Sequence, residues 1–176
     1  MNRFAAGVLV AAACVSWNAR AQVAPACLKP AQVTNLVTPV ELWHDIAACV
    51  EKEDYDAAVF LYAAAGAFAR FDTLRVADKT AHQAAKALPI VAFAAMQPMR
   101  ADALKARLSQ VLGNDAVRPK YCADVERLGA PGYFPVYMVD SGLDATASPN
   151  QPQLVPGFDA KPAWPQAVKE YLLCPP

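Results

Sequence analysis

From Glu53 to Ala65 the chain runs Glu-Asp-Tyr-Asp-Ala-Ala-Val-Phe-Leu-Tyr-Ala-Ala-Ala, and this stretch limits the possible folds more than any other. Tyr55, Ala58, Val59 and Tyr62 fall at i, i+3, i+4 and i+7, one face of a helix. Phe60, Ala64 and Ala67 put apolar side chains on the other faces, so neighbours are expected on more than one side. The fold must therefore supply several elements to pack around this helix.

A partner helix precedes it. Thr38-Pro39-Val40-Glu41 reads as a capping box, with Thr38 at N-cap, Pro39 at N1 and Glu41 at N3. Val37 and Leu42 are placed to form the hydrophobic staple. Trp43, Ile46, Ala47 and Val50 then give the inward stripe. The two segments, about residues 38–69, resemble a tetratricopeptide helical hairpin: an aromatic after a small polar turn, a small residue three positions on, an aromatic at seven. No second copy follows at the ~34-residue period of such arrays, so a generic antiparallel helix pair remains the alternative.

Downstream, Gly66 marks either close helix packing or an early helix end. Arg70 to Arg75 reads as a short connector. Ala81, Ala84, Ala85, Leu88, Val91, Ala92 and Ala95 hold one helical phase through Pro89, as expected of one kinked helix, with two helices broken at Leu88 as the alternative. Pro98 opens a helix with Ala101, Leu104, Leu108, Val111 and Leu112 inward and Gly113 as its stop. Pro119 opens the next, with Tyr121, Cys122, Val125 and Leu128 inward. Pro135 to Val139 forms a short helix. Asp159 caps a last helix carrying Trp164, Ala167, Val168 and Tyr171, with Pro162 and Pro165 in its first turn. Residues 143–157 read as a long polar loop. With no β alternation, the expected fold is all-α: a single-domain bundle of about six or seven helices with a tetratricopeptide-like hairpin.

The first 21 residues read as a signal peptide, with a basic start at Arg3, an apolar run from Phe4 to Val15 and an Ala19-Arg20-Ala21 cleavage site. A lipid anchor on Cys14 is the competing reading. Residues 22–37 then form an extended N-terminal arm, and 38–176 the helical domain. Removing Arg3 and Arg20 leaves 14 basic against 16 acidic residues, which argues against non-specific nucleic-acid binding. Beyond the leader, no stretch reads as a membrane span, so no membrane attachment is expected after cleavage. Cys27, Cys49, Cys122 and Cys174 remain, an even count that in an exported chain favours disulfides. Four cysteines allow three pairings. The arm is long enough to return Cys27 to Cys49 at the end of the first helix, which favours Cys27–Cys49 and Cys122–Cys174.

Catalytic signatures are sparse. His44 and His82 are the two histidines, and no Ser or Cys is placed beside either as a nucleophile. No cofactor or metal motif is present in the sequence. Glu51, Glu53, Asp54 and Asp56 cluster at the hairpin turn, where acids complement the next helix N-terminus. The candidate binding residues are Arg70, Asp72, Arg75 and His82, with an aromatic corner at Tyr133, Phe134 and Tyr137. Such a cluster either holds an acidic partner side chain or forms an internal ion-pair brace. The chain is similar in outline to periplasmic immunity proteins that neutralise secreted toxins. That resemblance implies an exported, non-enzymatic, protein-binding role. The alternative is a small periplasmic hydrolase or ligand-binding protein using His82 or His44.

Overall fold

The computed structural model describes residues 26–143 and 153–175. The expected signal peptide, Cys14 and positions 144–152 of the polar loop lie outside these residues. Among the described residues there are seven α-helices and no strand: α1 Pro39–Glu51, α2 Tyr55–Arg75, α3 Gln83–Ala95, α4 Pro98–Leu112, α5 Arg118–Glu126, α6 Val136–Val139 and α7 Ala160–Leu172. The fold is an all-α single-domain bundle.

The start of α1 follows from local chemistry. Glu41 N donates to Thr38 Oγ1 and Thr38 N donates to Glu41 Oε2, closing the capping box with Pro39 at N1. After the turn at Lys52 to Asp54, Asp54 caps α2 by accepting from Ala57 N at 3.1 Å. Helix α2 is the axis of the bundle and touches α1, α3, α4, α5 and α7. Phe68, Phe71, Leu61 and Val59 are essentially inaccessible, and α2 buries residues on every face. It is also the one described helix long and apolar enough to cross a membrane, although no span was expected here. Its burial among five neighbours accounts for that composition. Trp43 on α1 packs edge-on against Tyr62 on α2, with ring centroids 5.4 Å apart.

Four local readings change. Residues 70–75 are not a connector but the last turns of α2. Arg75 reaches back three residues to Asp72, and Thr73 Oγ1 donates to Arg70 O, so the polar run continues the helix. Helix α3 does run unbroken through Pro89, but Val91 and Ala95 are exposed; Ala84, Ala85, Leu88, Ala92 and Phe93 face the bundle instead. Gly113 follows α4 in the right-handed region at φ −76°, so its helix stop does not use glycine's left-handed freedom. Pro165 lies in the interior of α7, beyond the first turn.

Gly66 does serve close packing. A Cβ there would fall within the Tyr171 ring of α7, so the missing side chain is what lets α7 lie on α2. We expect Gly66→Ala to cost about 1–3 kcal/mol by overpacking, although Ala is favoured over Gly by ~1 kcal/mol in a helix. In a Tyr171→Ala background the same change should be neutral or stabilising. Denaturant melts of the four proteins measure this coupling, and additivity would show that Tyr171 is not the cause.

Both expected disulfides form. Cys27–Cys49 closes the arm onto the end of α1 and Cys122–Cys174 ties α5 to the chain just after α7, with Cα separations of 4.4 and 6.0 Å. They are compatible with an oxidising, exported environment. An isolated antiparallel bridge joins Val76 to Leu154, and Ala77 N and Val155 N donate to Gln153 O and Arg75 O. It fastens the far end of the polar loop to the end of α2.

Candidate functional site

The last turn of α2 and the segment from Pro131 to Val139 meet around Asp72. Asp72 sits on the inner side of α2 with no exposed surface. Its Oδ2 accepts from the hydroxyls of Tyr133 and Tyr137, both at 2.9 Å. Its Oδ1 accepts from Arg75 Nε at 2.8 Å, while Arg75 Nη2 lies 2.7 Å away without hydrogen-bond alignment. Arg75 Nη1 donates to Pro131 O at 3.3 Å. The guanidinium is flanked by the Phe71 and Tyr133 rings, 5.1 and 5.0 Å from their centroids.

The electrostatics follow from burial. Desolvation pushes the Asp72 carboxyl above its usual range, opposed first by the Arg75 charge and then by the two hydroxyls. Burial and the neighbouring Asp72 charge push both Tyr133 and Tyr137 hydroxyls well up, so they remain donors. The cluster is a closed network that fixes the 131–139 segment to α2.

Of the seven residues singled out from sequence, the fold thus brings four together around one carboxylate: Asp72, Arg75, Tyr133 and Tyr137. Arg70 lies elsewhere, with Nη2 2.5 Å from Glu170 of α7 and Nη1 donating to Thr73. His82 is half-buried, with Nε2 3.0 Å from Val76 O. His44 is exposed on α1. The acidic turn disperses into ion pairs: Asp54 with Lys29, Glu51 with Arg100, Asp56 with Arg107. A shallow groove of about 340 Å³ lies beside it, lined in part by Asp54, Asp56, Phe60, Lys120, Tyr121 and Asp124.

What the network supports is on the surface above it. Phe134 and Val136 alternate with the inward Tyr133 and Pro135, and are 47% and 53% exposed. Leu36, 65% exposed, lies against Gly132 of the same corner. Gly132 N donates to Asn35 O, and Asn35 Nδ2 donates to Ala130 O, so the arm and the corner are joined. Phe134 belongs to the aromatic corner already visible in the sequence. Leu36 and Val136 were missed there. The Tyr133-Phe134-Pro135-Val136 alternation carries the in–out signal for Val136, but nothing local places Leu36 beside it.

Compared with known proteins, the chain matches no family model, no curated protein and no solved structure.

Proposed function

We propose that this is an exported, non-enzymatic helical protein that acts in the periplasm by binding another protein, with Leu36, Phe134 and Val136 as its contact surface. The observation that carries the reading is a group of large apolar side chains left in water on a corner held from beneath by buried polar groups. Exposed apolar groups on a monomer favour association, and an aromatic anchor on a pre-ordered backbone loses little conformational freedom on binding. The acid–base groups nearest the corner are spent on one another, which supports a binding role over a catalytic one. The resemblance of residues 38–69 to a tetratricopeptide hairpin supports protein binding, and the likeness in outline to immunity proteins suggests a secreted toxin as one form of the partner.

Affinity capture from the periplasmic fraction tests this. The wild-type chain should retain a stoichiometric protein that Phe134→Asp loses, at least tenfold in recovered amount, with its melting temperature unchanged. Equal recovery by both proteins would contradict the reading. If the captured protein is a toxin, co-expression of this chain should relieve its toxicity and the Asp variant should not.

A further inference from the structure

Two uncharged runs of sequence build the corner that carries Leu36, Phe134 and Val136. Residues 30–40 and 128–139 contain no Asp, Glu, Lys, Arg or His, although 18% of the chain is charged. The fold lays these runs side by side. Gly132 N donates to Asn35 O at 2.9 Å, and Asn35 Nδ2 donates to Ala130 O at 2.8 Å. A Cβ on Gly132 would lie 3.0 Å from Leu36 Cδ2, so the bare Cα gives Leu36 room on the corner.

The charges at the edges are engaged locally. Lys29, before the first run, pairs with Asp54, and Arg127, before the second, pairs with Asp124. Glu41, after the first run, accepts from Thr38 N and Oγ1. Asp140 follows the second run. Beneath the corner, Arg75 and Asp72 compensate each other.

A surface of this kind offers apolar contact and no counter-charge. A Lys, Arg, Asp or Glu brought against it would lose water and gain no ion pair. A lipid surface is also a poor match. Shallow apolar insertion is normally joined by attraction between basic side chains and anionic lipid, and neither run supplies a cation. Resting on the protein-binding role proposed for this corner, we infer that the partner presents an uncharged apolar recess that takes Phe134 as its anchor, and that the pair holds at high salt. This differs from the acidic partner side chain that Arg70, Arg75 and His82 suggest in sequence. Arg70 is paired with Glu170, and Arg75 with Asp72.

The test is the salt dependence of binding. The protein retained from the periplasmic fraction is purified, and its Kd for the chain is measured from about 0.1 M to about 1 M sodium chloride, over which the screening length falls from about 10 Å to about 3 Å. The Kd should change by less than about twofold across that range, whereas charge-steered pairing weakens with salt. Phe134→Asp should weaken binding at least about tenfold at both ends of the range. Phe134→Leu, which stays apolar, should lose less, and Arg127→Gln and Asp140→Asn should change nothing. A Kd that weakens tenfold or more with salt, while still depending on Phe134, would overturn the uncharged recess and leave the corner as the docking site. Retention of no protein, or of one indifferent to Phe134→Asp, would remove both. The chain alone should sediment as a monomer, and it should not sediment with phosphatidylglycerol vesicles. Self-association or vesicle binding abolished by Phe134→Asp would assign the corner to a second copy or to a membrane, and would overturn the inference.

Discussion

Arg75→Met is expected to cost about 3–5 kcal/mol at neutral pH, the usual penalty for breaking one side of a buried ion pair. Met keeps much of the length of Arg75 and its packing between Phe71 and Tyr133, so the loss reports the charge more than the volume. What remains is a fully buried Asp72 carboxylate with only two hydroxyl donors. The sign of the pH dependence follows. Asp72 already has its pKa raised in the folded state by desolvation, with Arg75 the main opposing influence. Its contribution is therefore fully present below the ordinary Asp value of 3.8 and is lost as pH rises through the raised folded value. Removing Arg75 raises the folded value further and widens that window. The gap in stability between wild type and variant should thus grow with pH and shrink in acid. Urea melts across the pH range measure it; a gap that narrows toward neutral pH would show that Arg75 does not compensate Asp72.

Loss of the Cys122–Cys174 bond is the second large effect. The two residues are 52 apart, and chain-entropy arguments give about 4 kcal/mol for a loop of that size. A Cys122→Ala/Cys174→Ser chain should melt several degrees lower, and hydrogen exchange should accelerate first in α7. The reason is geometric. Helix α7 is held to α2 by Trp164, Ala167 and Val168, but it is followed by Leu173 in a left-handed turn with an exposed side chain. Leu173 offers little to hold that end, and the disulfide supplies the anchor. Cys27–Cys49 closes a smaller loop, with a separation of 22, and its loss should cost about 3 kcal/mol. The reverse order of effects would show that packing, not loop closure, governs these bonds.

The parts of the fold that could be read from sequence rest on short-range chemistry. The Thr38–Glu41 capping box and the Asp54 cap each lie within four residues, and their hydrogen bonds form as the spacing requires. The disulfide pairing was legible because chain length limits where Cys27 can go. Gly66 signalled a close approach, but Tyr171, the side chain that approaches, is 105 positions away and could not be inferred. The same limit explains Arg70 to Arg75. A polar run after an apolar helix reads as a connector until its distant partners are known. Those partners are Glu170, Tyr133, Tyr137 and Pro131. On α3, Val91 and Ala95 match the inward period as well as Ala92 does, so periodicity alone gave the helix but too broad a buried face. The candidate site follows the same division. Residue types named its supporting network, while its exposed surface depended on which of Tyr133 and Phe134 turns inward and on Leu36 from the arm.

In the proposed function, a partner protein docks on the corner over Asp72. Site-specific photo-cross-linking in intact cells tests it most directly, with a benzophenone amino acid placed in turn at Phe134, Val136 and Leu36, and at Lys105 on the exposed side of α4 as control. One cross-linked protein of constant mass is expected from the three corner positions and none from Lys105. Equal cross-linking at Lys105, or none at the corner while the chain is exported and folded, would contradict it.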